Sequence, residues 1–222
     1  MTDQTNERAG YQGPAFFSYG FRPLFLGAAL FAGVAVPAWV LLLTGVGDVS
    51  AARQWHVHEM VFGFLPAVIT GFLLTAIPNW TDRTPIRGRE LMLLCTVWLA
   101  GRLVMAIPFL PPLLSAFVDA AFLVTAAELV WREIAAGKSW SHAPIGGLIS
   151  LYAGANILFH VWALSGAATD LPERMALALV MMLLALIGGR VIPNFTRAFL
   201  DAQGMSEQPA PFLVSMACRW CS

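Results

Sequence analysis

The sequence predicts an all-α fold, a polytopic membrane helix bundle of about six transmembrane helices with both the N-terminus and the C-terminus cytoplasmic. Three observations carry this reading. Only 12% of the 222 residues are charged and 58% are hydrophobic, with a mean hydropathy of +0.70; soluble domains carry about 25% charged residues. Six apolar segments approach the roughly 20 residues that a helix needs to cross a hydrocarbon core. Lys and Arg outside those segments fall almost wholly on one side. The formal net charge is zero, so charge points to no nucleic-acid partner, and lipid is the expected surround. Homo-oligomerisation is left open.

In chain order, residues 1–23 are polar and lack a basic region running into a short apolar core, so no cleavable signal is expected and the first span is retained. The spans are expected at 24–44, 58–77, 91–107, 110–131, 144–165 and 175–192. Pro and Gly punctuate the connections. The PFLPP turn is so short that spans three and four form a tight hairpin. One side of the membrane receives Arg8, Arg22, Arg83, Arg87, Arg89, Arg132, Lys138, Arg190, Arg197 and Arg219; the other receives Arg53 and Arg174. The excess marks the cytoplasmic side, and RQWHVHEM (residues 53–60) faces outward.

Ile77-Pro78-Asn79 and Ile192-Pro193-Asn194 echo one another and are expected to end spans two and six, because Pro blocks helix continuation and Asn can cap the freed carbonyls. The echo is either a trace of duplication or a common way of ending a helix. Residues 193–222 then form a short cytoplasmic tail. Cys95 reads as a small core residue. Cys218 and Cys221 form a lone CxxC with no second pair to suggest a metal or redox site.

Histidine placement is the main functional signal. At about 1.5 Å per residue, His58 lies about 30 Å above Pro78, His56 slightly higher, and His160 about 24 Å above Pro144. Three of the four histidines thus share one outer layer, on spans two and five, whereas His142 sits in the cytoplasmic KSWSHAP loop and reads as solvated. An imidazole at membrane depth needs a partner. Either each is hydrogen-bonded within the bundle, or the three ligate a metal or haem iron, with Met60 nearby as a soft ligand. On a continuous helix His56 and His58 point about 200° apart, so they serve two centres or belong to a non-helical entry segment. Glu59 can accept the free ring N–H of a ligand histidine. Asn156 shares a helix face with His160. Arg102 is expected to pair with Asp119 across the hairpin or to hold an anionic ligand group such as a haem propionate.

HVHEMVFGFLPAVITGFLLTAIPNWT, LAGR, NILFH and GGRVIPNFTR occur in that order, and together they resemble the NnrS family. The resemblance covers about residues 14–200. It implies a bacterial inner-membrane protein with haem or copper, tied to nitric oxide handling, nitrosative stress or denitrification. By position, His56, His58, Glu59, Arg102, Asn156, His160, Arg190 and Asn194 fall in the family's motifs. We take His56, His58 and His160 as candidate metal ligands and Glu59, Arg102, Asn156 and Arg190 as candidate cofactor contacts. No catalytic residue is assigned. Family members typically have about twice as many spans, so this chain reads as an N-terminal half, and an inactive truncated half is one alternative. A transporter of copper or a small solute is another, with the histidines as its translocation site.

Overall fold

The computed structural model describes residues 11–46, 49–81 and 83–203. Among them every regular element is helical. A short 3₁₀ turn, Ala15–Phe17, leads into α1 (Phe21–Leu41), whose last turn widens to a π-helix over Leu42–Val46. The second transmembrane element is built from α2 (Val49–His58), a π-helical segment Glu59–Phe64, and α3 (Leu65–Thr81). Then follow α4 (Arg89–Ala106), α5 (Pro112–Ala136), a 3₁₀ turn Trp140–His142, α6 (Ala143–Ser165) and α7 (Asp170–Ala202).

Five of these helical stretches are long and apolar enough to cross a membrane: Phe21–Thr44, Ala51–Thr81, Pro112–Ala136, Trp140–Ser165 and Asp170–Ala202. The remaining expected span, α4, is an 18-residue helix carrying Arg89, Glu90 and Arg102. It packs in the bundle against α5, and its buried charge is answered by carboxylates on its neighbours.

Local chemistry sets the boundaries. Pro111 and Pro112 start α5, where a missing N–H costs nothing. Gly166, at φ 74°, ends α6 in the left-handed conformation that Gly adopts without a Cβ clash. The expected hairpin between α4 and α5 is present, turning through Ile107–Pro111. The Pro-Asn stops are corrected: α3 runs through Pro78 to Thr81, and α7 through Pro193 to Ala202. Pro removes one intrahelical bond but does not end a helix whose neighbouring turns stay paired, and a helix in lipid satisfies its backbone only by continuing. The tail expected from 193 is therefore helical to Ala202. Cys218, Cys221, Arg8 and Arg219 lie outside the described residues.

The second element runs through the middle of the bundle. Its Phe62, Leu73 and Ile77 meet Leu123, Val130, Ile149 and Tyr152 in one buried cluster, while Ala67 and Leu74 meet Leu24, Leu91, Leu94 and Trp98 in a second. Cys95 is half-buried against that second cluster, as expected. The outer faces of α1 and α7 expose Leu30, Val34, Met181 and Ile192, apolar surface of the kind that lipid covers. His142, expected to be solvated, is half-buried: its ring stacks on Trp80 at 5.1 Å and accepts or donates to Ser139 Oγ at 2.7 Å.

Candidate metal centre

The centre begins with an irregular turn. Between Glu59 and Phe64 the backbone bonds lengthen to i→i+5; the Leu65 N–H, for example, donates to the Met60 carbonyl. Such wide turns cluster at functional sites because they re-aim the side chains on either side. Two neighbouring helices brace it. The Trp98 Nε1–H of α4 donates to the Gly63 carbonyl at 3.0 Å, and the Tyr152 hydroxyl of α6 donates to the Val61 carbonyl. Gly63 is required for a second reason: a Cβ there would occupy the position of Arg102 Nη1. The guanidinium lies directly on the backbone of the turn.

From this turn His58 and Glu59 point into the bundle. Both are buried, with Arg102 on α4, Asp119 on α5, and Asn156 and His160 on α6. Arg102 spans the two carboxylates: Nη1 donates to Glu59 Oε2 at 2.6 Å and Nη2 to Asp119 Oδ1. The expected Arg102–Asp119 pair is therefore present, with Glu59 as a further partner. His58 Nδ1 faces Glu59 Oε1 at 3.2 Å, the arrangement that fixes a ligand imidazole's tautomer and leaves Nε2 free.

Asp119 Oδ2 is the meeting point. Asn156 Nδ2 reaches it at 3.0 Å and His160 Nε2 at 2.8 Å. His58 Nε2 lies 3.3 Å away, but its direction does not make a hydrogen bond, and that buried nitrogen is left unpartnered. The ring nitrogens of His58 and His160 and the Asp119 carboxylate lie within 4.8 Å of one another and form a group able to hold a metal ion. Tetrahedral ligands about 2.0–2.1 Å from an ion stand roughly 3.3 Å apart, so binding needs the 2.8 Å His160–Asp119 contact to open and the wider spacing, within 4.8 Å, to close.

Charge allows the same answer as geometry. One guanidinium faces two buried carboxylates, so with both imidazoles neutral the cluster is one positive charge short. An uncompensated charge away from water is costly. A bound cation, one imidazolium or one protonated carboxyl supplies the balance. A haem ligated by both imidazoles does not fit here. The two imidazole centroids are 5.2 Å apart and tilted by 60°, and the Asp119 carboxylate fills the space that a porphyrin between two axial ligands would need.

The cluster has an opening. A cavity of ≈ 280 Å³ is lined by Gln54, Trp55, His58, Met105, Phe159 and His160, large enough for water or a small neutral molecule. On its other side His160 borders an apolar groove of ≈ 390 Å³ between α5 and α6, walled by Phe117, Val124, Ile157 and Val161.

Of the sequence candidates, the structure brings together His58, His160, Glu59, Arg102 and Asn156, and it adds Asp119, which the sequence offered only as a partner for Arg102. Two candidates stand apart. His56 and His58 are both on α2, so they point different ways as a helix requires; the His56 ring stacks on Trp39, with centroids 3.9 Å apart and planes 10° from parallel. Arg190, on α7, donates to the Ser141 carbonyl at 2.9 Å, at the far end of α6 from His160. Trp98 and Tyr152 were missed: a lone aromatic in an apolar run carries no mark of the carbonyl it will meet.

The family model described as NnrS protein matches residues 15–219, and the chain belongs to the NnrS family. No curated protein and no solved structure matches it.

Proposed function

We propose that this NnrS-family chain is a copper-binding protein of the bacterial inner membrane that serves nitric oxide handling or the nitrosative-stress response. The observation that carries the reading is the buried convergence of His58, Asp119 and His160, two imidazoles and one carboxylate oxygen within 4.8 Å. Imidazole-rich sites with a carboxylate suit copper, which also heads the divalent affinity series. The Lys and Arg distribution supports an orientation with both termini in the cytoplasm and the cluster toward the periplasm.

Bound copper would supply one-electron chemistry and an open position for a small ligand. The chain's own residues do the rest. Glu59 holds the His58 tautomer. Arg102 holds both carboxylates in place. Asn156 orients Asp119. The apolar lining of the adjoining cavity admits an uncharged diatomic more readily than an ion. Haem, the other cofactor that the family resemblance implies, would need a seat other than between these two imidazoles.

The functional test is growth of a nitric-oxide-sensitive bacterial host expressing the chain or its His160→Ala variant at matched membrane levels, under nitric oxide challenge. Protection by the chain and its loss in the variant are expected. Equal growth of both would remove the centre from nitric oxide handling.

A further inference from the structure

A second polar cavity lies at the other end of the bundle. Its volume is ≈ 280 Å³, and Tyr11, Ser18, Tyr19, Arg22 and Arg87 line it. Three segments build it: the stretch before α1, the first turn of α1, and the connection between α3 and α4. The Gly88 N–H donates to the Phe17 carbonyl at 3.0 Å and ties that connection to the 3₁₀ turn. The Phe21 N–H donates to Thr75 Oγ1 at 3.3 Å. Thr75 is seventeen residues beyond His58 in one continuous helical element, about 25 Å along the bundle. The cavity is thus remote from the metal cluster.

The cavity's charge is unbalanced. Arg22 and Arg87 are both half-buried, and no carboxylate is among the described residues that line the cavity. Among the described residues neither arginine forms an ion pair. Two other arginines of this end are paired: Arg83 with Glu133, and Arg132 with Glu90. Arg22 is aimed by one nitrogen, Nη1, which donates to the Ala15 carbonyl at 2.7 Å, and its guanidinium lies 5.8 Å from the Tyr19 ring. Arg87 lies 5.5 Å over the ring of Tyr11, and the buried Tyr11 hydroxyl has no partner among the described residues. Two guanidinium groups flanked by two phenols form a donor set matched to phosphate oxygens.

We propose that this cavity is a phosphate-binding site, occupied by the headgroup of an anionic phospholipid or by a free phosphate compound. The surroundings suit a lipid. Basic pockets at the cytoplasmic ends of transmembrane helices recognise anionic headgroups, and next to the cavity the exposed rings of Phe21 and Phe25 offer acyl chains an apolar surface along α1.

The chain purified in mild detergent is compared with its Arg22→Gln/Arg87→Gln double variant for co-purifying phospholipid by native mass spectrometry. Both are also assayed for a shift in thermal midpoint on adding phosphatidylglycerol, phosphatidylcholine or inorganic phosphate. Retained anionic lipid that the variant lacks, with a shift from phosphatidylglycerol alone, assigns a headgroup. A shift from inorganic phosphate that weakens about tenfold in apparent affinity in the variant, with no retained lipid, assigns a free phosphate compound. If both proteins are folded and neither lipid nor phosphate tells them apart, the proposal is wrong. Should the double variant fail to fold, Arg87→Gln replaces it, since that side chain's described contact is with Tyr11 alone; the same outcomes then decide.

Discussion

His160 Nε2 lies 2.8 Å from Asp119 Oδ2, joining α6 to α5 at the point where His58 also arrives. One carboxylate oxygen therefore meets two imidazoles and an amide, while its twin takes a guanidinium. A carboxylate so surrounded in an apolar bundle is held by several charged and polar partners at once, and its removal affects all of them.

Arg102→Gln leaves Glu59 and Asp119 facing one another without their shared cation. Breaking a buried pair by removing one partner costs about 3–5 kcal/mol. We expect the metal-free variant to unfold that much more easily in detergent denaturation. Added Cu²⁺ should recover part of the loss, because it restores positive charge to the same cluster.

Glu59→Gln keeps the size of the side chain and removes its charge. As the hydrogen-bond acceptor behind His58 it acts on the metal through that ligand, and copper affinity should fall about 10–100-fold. Competition with a chelator of known affinity measures it, and circular dichroism checks that the helices remain.

Gly63→Ala tests the close approach of Arg102 to the π-helical turn. The added methyl occupies the guanidinium's position, so Arg102 must move. Overpacking of this kind costs about 1–3 kcal/mol, and the metal site should weaken with it. Ala at Gly147, where nothing lies within 4 Å, should do neither.

His56→Ala should leave copper content unchanged. Its ring belongs to the stack with Trp39, apart from the cluster. Metal analysis of the purified variant checks this, and loss of copper would bring His56 back among the ligands.

The bundle was legible because lipid imposes one rule on every span. Long apolar runs must be helices, and PFLPP is too short to be anything but a hairpin. Pro78 and Pro193 misled because a proline's local cost was read as a stop, where the surrounding helix absorbs it. The cluster was half legible. Depth along each span put His58 and His160 in one layer, and the Asn156–His160 spacing marked a polar face. Asp119 was visible as a charge needing Arg102, but its second oxygen faces α6, and that depends on how α5 and α6 cross. The π-helical turn left no local signal either, since it is sustained by Trp98 and Tyr152 from other helices.

The central claim is that His58, Asp119 and His160 hold a metal ion, and metal content tests it most directly. The chain is purified from copper-supplied cells, and copper per chain is measured beside folded Asp119→Asn and His160→Ala variants. About one copper per chain, with nitrogen hyperfine structure from two imidazoles in the Cu²⁺ resonance and loss of copper in both variants, is the predicted result. A folded, metal-free chain that takes up no added copper would contradict it.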